Sequence, residues 1–344
     1  MLILTETDLR SVLKMREVID AVELGFRALA RGDAFAPARL AMDLPGRDAV
    51  LLAMPAYLGL GARASRPHQG AGKSIEQGNE QAALGTKFVG VFPRNPERSL
   101  DVVQGVYLLL DAETGVALSL MDGRFITAMR TAATSAVATK LMTSPGPKQL
   151  AVFGAGVQAQ FHIDAMIEVA DIGRVMIVSR GIDQAQALAE QVRALHNLPC
   201  DVVTGEEAAA QGDLICTCTS SPLPLFDGSV IKPGTHINAV GAFTPETREL
   251  DTETVRRSRV IIDAESAAGS EAGEILIPLA EGAIEASHVK GTLAEVVSGK
   301  VAGRESAEQI TLFKSCGLAI EDLVTARLAY AKAIAENVGT QVRL

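Results

Sequence analysis

Near the start of the chain, apolar positions recur at helical spacing: Leu9, Val12 and Leu13, then Val18, Ile19, Val22, Phe26 and Leu29. That spacing puts one apolar stripe on a helix from Asp8 to Arg31, ended by Gly32. The period then changes. Residues from Arg39 to Met54 alternate and then run apolar, which predicts two strands turned at Pro45-Gly46-Arg47-Asp48. Phe88-Val89-Gly90-Val91-Phe92 and Gly105 to Leu110 read as further strands. Asp111-Ala112-Glu113-Thr114-Gly115 reads as a hairpin turn before a strand from Val116 to Met121. No helix-length segment separates these strands, so they predict an antiparallel or mixed sheet.

A second pattern follows. Ile126 to Met142 is rich in Ala and Thr and reads as a close-packed helix joining two domains, ended by Ser144-Pro145-Gly146-Pro147. From Lys148 the chain alternates strand and helix, with candidate strands at 149–153, 175–178, 199–203, 213–217, 236–240 and 260–263. Alternation of this kind predicts a doubly wound parallel sheet. A last helical pattern, Ile310 to Asn337, is long and amphipathic. It needs an apolar partner beyond the parallel sheet, so it is expected to return to the first domain. The expected division is 1–125 with 311–344 as one domain and 126–310 as the other. Gly59 to Ala82 fits neither pattern; it is rich in Gly, Gln, Arg and Ser, and carries Arg63, Arg66, His68 and Lys73. Its Gly70-Ala71-Gly72-Lys73-Ser74 lacks the preceding strand and the full spacing of a phosphate loop. A mobile surface loop or an active-site lid is the expectation.

The glycines between the first two parallel strands carry chemistry. Leu150-Ala151-Val152-Phe153 breaks into Gly154-Ala155-Gly156-Val157-Gln158-Ala159, a helix follows, and Val175-Met176-Ile177-Val178 ends in Ser179-Arg180. Strand, tight turn, helix and strand in this order hold the pyrophosphate of a dinucleotide. Gly154 permits the turn, Gly156 lets the backbone approach the phosphates, and Ala159 lets the helix pack close to the sheet. The helix N-terminus adds free N–H groups and partial positive charge. An NAD site carries Asp or Glu about 20 residues past the glycines, bonded to the ribose 2′-OH. Ser179 and Arg180 stand there instead, and a hydroxyl and a guanidinium suit a 2′-phosphate. NADP(H) is therefore preferred. Asp183 begins the next helix, so NAD(H) stays possible.

Composition narrows the class further. The chain has 344 residues, 48% hydrophobic and 21% charged, enough for a large core in two domains. A net charge of −9 argues against nucleic acid or an anionic membrane as the main partner. No apolar run reaches the roughly 18 residues of a membrane span. The start, Met1-Leu2-Ile3-Leu4-Thr5-Glu6, lacks a basic n-region, so no signal peptide is expected. The cysteines are Cys200, Cys216, Cys218 and Cys316; Cys216 and Cys218 lie two apart on a predicted strand and read as small buried side chains. No metal or disulfide is expected, and the compartment is a reducing cytoplasm.

Motifs along nearly the whole chain, in order, resemble the ornithine cyclodeaminase/mu-crystallin family. They are Met54-Pro55-Ala56-Tyr57, Leu84-Gly85-Thr86-Lys87-Phe88-Val89, Val91-Phe92-Pro93, Met121-Asp122-Gly123 and Arg130-Thr131-Ala132-Ala133. The glycine turn, Ala239-Val240-Gly241, Ile277-Pro278-Leu279-Ala280-Glu281-Gly282 and Leu312-Phe313-Lys314-Ser315-Cys316-Gly317 continue them. The resemblance implies an α/β fold: a Rossmann-type domain paired with a mixed α+β dimerisation and substrate domain built from both chain ends, in a homodimer. It implies hydride exchange between a nicotinamide and a C=N bond beside a carboxylate. It implies Arg130 facing substrate carboxylate and cofactor, Arg39 as a second carboxylate partner, and Lys87 at the reacting centre. The cofactor site is expected to include Thr217, Thr219, Val240 and Ser315 besides the glycine turn, Ser179 and Arg180.

Two departures direct the choice of reaction. Cyclodeaminases of the family carry an acid/base Asp in a Gly-x-Asp-x-Pro turn; here Gly241-Ala242-Phe243-Thr244-Pro245 puts Phe243 in its place. Their glutamate shortly before Met-Pro is here Leu52 or Ala53. An unpaired ammonium buried among such residues would cost several kcal/mol. The expected substrate is an uncharged ring, Δ1-pyrroline-2-carboxylate or Δ1-piperideine-2-carboxylate, reduced with NADPH and contacted by Phe243. The alternatives are an ornithine cyclodeaminase with recycled NAD, an open-chain or N-alkyl amino-acid dehydrogenase, and a non-catalytic ligand-binding protein like mu-crystallin.

Overall fold

The computed structural model describes residues 1–59 and 82–343. The segment from Gly59 to Ala82 read as a loop or lid, with Arg63, Arg66, His68 and Lys73, lies outside the described residues except at its two ends. The chain forms two compact units, 1–130 with 318–344, and 131–317.

The first unit opens with β1 (Leu2–Leu4), α1 (Glu6–Val12) and α2 (Met15–Arg31). The helix predicted over 8–31 is thus two. The apolar stripe skips a turn between Leu13 and Val18, and Leu13 takes extended backbone there. Thr5 and Asp8 cap the first helix reciprocally, and Gly32 ends the second at φ +77. Strands β2 (Ala34–Phe35), β3 (Leu40–Asp43), β4 (Val50–Leu58), β5 (Ala83–Val91), β6 (Val103–Leu110) and β7 (Ala117–Asp122) follow. With β16 (Thr340–Gln341) they build a mixed sheet in the order β16-β1-β7-β6-β5-β4-β2, with β3 also paired to β4. Helix α11 (Ala319–Glu336) packs on β4, β5 and β6, and α2 packs on α11. Gly25 lets those helices approach, since a Cβ there would stand 3.2 Å from Val324. The opposite sheet face is apolar and open: Phe35, Leu40, Met42, Tyr57, Phe88 and Val106 are all exposed.

Helix α3 (Gly123–Met142) carries the chain into the second unit. There β8 (Lys148–Phe153), α4 (Val157–Val169), β9 (Ile172–Val178), α5 (Ile182–His196), β10 (Cys200–Val202), α6 (Gly205–Gln211) and β11 (Leu214–Thr217) alternate. Then come β12 (His236–Ala239), α7 (Thr252–Arg257), β13 (Ser258–Ile262), α8 (Glu265–Glu271), α9 (Gly273–Ala280), β14 (Val289–Thr292), α10 (Leu293–Val297) and β15 (Ile310–Lys314). The strands form one sheet, β10-β9-β8-β11-β12-β15-β13-β14, in which every pair is parallel. Its order turns back between β8 and β11, the switch point where such sheets bind ligands beyond the strand ends.

Two corrections arise here. Residues 310–314 are a strand between β12 and β13, so the last helix starts at Ala319 rather than Ile310, and 311–317 stay in the second unit. A short, wholly buried apolar run carries no period that separates strand from helix. The sequence pattern also gives no sign of β14, because Val289-Lys290-Gly291-Thr292 is short and has one hydrophobic residue, Val289. No helix among the described residues is long and apolar enough to cross a membrane.

Candidate active site

Strand register places Lys87 in an unusual row. Across the sheet, Lys87 lies opposite Met54 of β4 and Tyr107 of β6, Tyr107 opposite Met121 of β7, and Met121 opposite Leu4 of β1. All five side chains are buried, and Lys87 is the only charged one. An ammonium in such a row requires partners. Its Nζ donates to Asp322 Oδ1 at 2.9 Å and to Thr127 Oγ1 at 3.2 Å. Arg130, one turn along α3 from Thr127, donates from Nε to the same Asp322 Oδ1 at 3.2 Å and from Nη1 to Glu321 Oε2 at 2.6 Å.

Glu321 and Asp322 are adjacent in the first turn of α11 and are both fully buried. Two cations thus face two carboxylates, and the helix N-terminus favours the negative charge. Tyr107 completes the cluster. Its hydroxyl is buried without a hydrogen-bond partner among the described residues, and a side chain at Gly85 would meet it at 2.5 Å.

Burial, and then the Arg130 cation, lower the Lys87 pKa to about 8, against the opposing pull of Asp322 and Glu321. Burial also pulls Arg130 down, but its two carboxylates outweigh that and raise it. Burial, aided by the Asp322 charge, pushes the Tyr107 phenol well up. The cluster therefore holds a permanently charged guanidinium beside an ammonium able to release its proton near neutrality. Leu52 lies inward on β4, two positions from the Met54 that faces Lys87, and is buried. Arg39 stands half-buried one residue before β3 rather than within it.

In the second unit the glycine turn has the geometry of a phosphate cradle. Gly154 takes φ +117, and a Cβ on it would stand 2.7 Å from the Cys218 carbonyl oxygen. Gly156 is the N-cap of α4; among the described residues no side chain caps it, and nothing stands within 4 Å of where its Cβ would be. Ala155, Val157 and Gln158 form the lip of the turn, and Ala159 is fully buried. An open glycine backbone at a thirteen-residue helix N-terminus fits a dinucleotide pyrophosphate. Ser179 and Arg180 follow β9; the Ser179 hydroxyl accepts from Gly181 N–H at 3.2 Å, and Arg180 is exposed.

Three of the four remaining residues of the expected cofactor site, Thr217, Thr219 and Ser315, are held by carboxylates. The hydroxyls of Thr217 and Thr219 both donate to Glu249, at 2.7 Å each. Ser315 donates to Asp263 at 3.3 Å. Val240 donates its N–H to Thr217 O at 3.1 Å, and Phe243 is 41% exposed in the turn after β12. Cys218 lies just beyond β11 rather than within it.

Sequence reading missed Glu321, Asp322, Thr127, Tyr107 and Glu249. Acidic residues at a helix start ordinarily complement the dipole in solvent, so the only available signal for Glu321 and Asp322 was two acids following an apolar cap at Leu318.

Comparison with known proteins agrees with this architecture. The model of the ornithine cyclodeaminase/mu-crystallin family matches residues 74–337. A Δ1-pyrroline-2-carboxylate reductase of Bacillus cereus is 33% identical over 344 residues, covering 99% of each chain. The structure of Thermococcus litoralis Δ1-pyrroline-2-carboxylate reductase in complex with NADH and L-proline superposes with a TM-score of 0.91 at 39% identity, covering 99% of this chain and 100% of that one. An archaeal alanine dehydrogenase dimer with bound NAD does so with a TM-score of 0.89 at 32% identity, covering 100% of this chain and 99% of that one. The chain belongs to the ornithine cyclodeaminase/mu-crystallin family.

Proposed function

We propose that this protein reduces the C=N bond of a small cyclic 2-imino acid, Δ1-pyrroline-2-carboxylate or Δ1-piperideine-2-carboxylate, to the cyclic amino acid, with NADPH preferred over NADH. The observation that carries the reading is the buried Lys87–Asp322–Arg130–Glu321 cluster, whose lysine pKa is lowered to about 8. The chain's similarity to reductases of this kind supports the substrate class. The dihydronicotinamide, when bound, supplies the hydride.

Arg130 offers a fixed, always-protonated guanidinium for the substrate carboxylate, and its two acidic partners hold its plane in place. Lys87 holds a proton at Nζ for the ring nitrogen, whose basicity rises as C2 takes the hydride. Arg39 is a second cation for the carboxylate. Phe243 and Leu52 present hydrocarbon where a cyclodeaminase carries acids. A diamino acid would then leave its second ammonium without a counter-charge.

Gly154, Gly156 and the α4 N-terminus hold the pyrophosphate, and Ser179 with Arg180 takes the 2′-phosphate. Two copies associate through the open sheet face of Phe35, Leu40, Met42, Tyr57, Phe88 and Val106, an apolar surface that a monomer would leave in water. Light scattering on the purified protein tests this; a monomer at all concentrations rules the homodimer out.

The central test follows oxidation of NADPH and NADH with each cyclic imine, beside ornithine with catalytic NAD⁺ and pyruvate with ammonia. Rapid imine-dependent oxidation is expected. Proline and ammonia from ornithine, without imine reduction, would establish the cyclodeaminase instead. The similarity to alanine dehydrogenase makes pyruvate the informative open-chain control.

A further inference from the structure

We propose that Glu249 is a positioning residue of the dinucleotide site, clasping the loop that abuts the glycine turn to the loop after the neighbouring strand. The inference rests on the second unit being the dinucleotide-binding unit.

Glu249 is fully buried and takes four donors. Its Oε1 accepts from Thr219 N–H and the Thr219 hydroxyl, and its Oε2 from the Thr217 hydroxyl and Gly241 N–H, all at 2.7 Å. Thr219 lies two residues past β11, and Gly241 two past β12. One carboxylate therefore ties together the loops leaving two neighbouring strands at the switch point of the sheet.

The first of those loops abuts the glycine turn directly: Cys218 N–H donates to Phe153 O at 2.8 Å, and the Cys218 carbonyl oxygen lies against Gly154. Gly241 must lack a side chain here, because a Cβ would fall 2.5 Å from Glu249 Oε1 and 2.1 Å from Thr219 O. The Thr219 hydroxyl also accepts from Ser221 N–H at 3.1 Å, so it both donates to Glu249 and accepts within its own loop.

Each carboxylate oxygen faces one backbone N–H and one hydroxyl. A glutamine amide would therefore turn its NH2 toward a backbone donor in either orientation. Gly241 N–H retains Thr217 O at 3.2 Å, so the amide nitrogen settles on that side and the 2.7 Å bond is lost. The clasp thus requires a carboxylate.

The test measures NADPH and NADH binding by fluorescence, with thermal denaturation and steady-state kinetics, on wild type, Glu249→Gln, Thr219→Val and the double variant. Glu249→Gln is expected to weaken dinucleotide binding about tenfold, the scale of one buried donor left unmatched, while the KM for the imine and the kcat at saturating cofactor stay within about twofold. Thr219→Val is expected to weaken it about twofold, alone and again in the double variant, because the amide oxygen of the Glu249→Gln side chain still faces Thr219. Unchanged dinucleotide affinity in folded Glu249→Gln overturns the proposal, as does a parallel rise in both KM values. Should Glu249→Gln not fold, unchanged affinity in folded Thr219→Val overturns it. Wild-type protein that binds neither dinucleotide refutes the underlying reading.

Discussion

Lys87 and Lys314 are both fully buried, and each stands beside a carboxylate: Lys87 Nζ is 2.9 Å from Asp322 and Lys314 Nζ is 2.8 Å from Glu274. Their chemistry nevertheless diverges. Burial depresses both, but Arg130 adds to the depression at Lys87, while Glu274, Cys316 and Glu249 together raise Lys314 above its ordinary value. Lys314 also donates to the Ala242 carbonyl oxygen, a backbone anchor, whereas Lys87 donates to the side chains of Asp322 and Thr127. A buried lysine is thus a proton carrier or a structural rivet according to its second neighbour, another cation or another acid.

Exchanging the two lysines for methionine breaks the comparison most severely. Lys87→Met should lower kcat by about 10²- to 10⁴-fold with the fold retained, the range for a lost general acid. Lys314→Met should instead cost about 3–5 kcal/mol of stability, because Glu274 is left as an uncompensated buried charge. Steady-state kinetics and urea denaturation on both proteins distinguish the two roles. A Lys87→Met enzyme at full turnover would take Lys87 out of the mechanism.

A subtler change sharpens the contrast by altering the neighbour rather than the lysine. With Lys87 as the proposed proton donor, turnover should be full below about pH 8 and fall as pH rises through it. Asp322→Asn removes a charge that raises the Lys87 pKa, so the alkaline limb should move to lower pH. At about pH 7, kcat should fall about twofold if the limb moves by about one pH unit and about tenfold if it moves by about two. A pH–rate profile that keeps its alkaline limb in place contradicts the assignment.

The smallest effect lies at the surface. Arg180→Ala should reduce the preference for NADPH over NADH by about tenfold, the scale of one exposed charge-assisted contact to a phosphate. An unchanged ratio of KM values removes Arg180 from the 2′-phosphate site.

The elements of the second unit were largely legible in the chain because each parallel strand is a short apolar run beside a helical period. The strand misread as helix has a physical cause. Ile310–Lys314 is buried on both faces, so it shows no alternation, and its apolar residues merge with those of the helix after Gly317. The site was legible in part. Lys87 and Arg130 came from motif resemblance, but their carboxylates lie 235 and 191 residues away along the chain, which local spacing cannot signal. Thr217 and Thr219 look like free hydroxyls at strand ends until Glu249 is seen to take both protons.

By itself, the sequence determined what depends on neighbours along the chain: the glycine turn into a helix, the absence of an acid after β9, and Phe243 in an acid's place. Backbone conformation and helix-end electrostatics act over a few residues, so they can be read there. Only the tertiary structure decided which charges share a low-dielectric interior. Coulomb energy depends on distance and on burial, and neither is set until β5, α3 and α11 pack around Lys87.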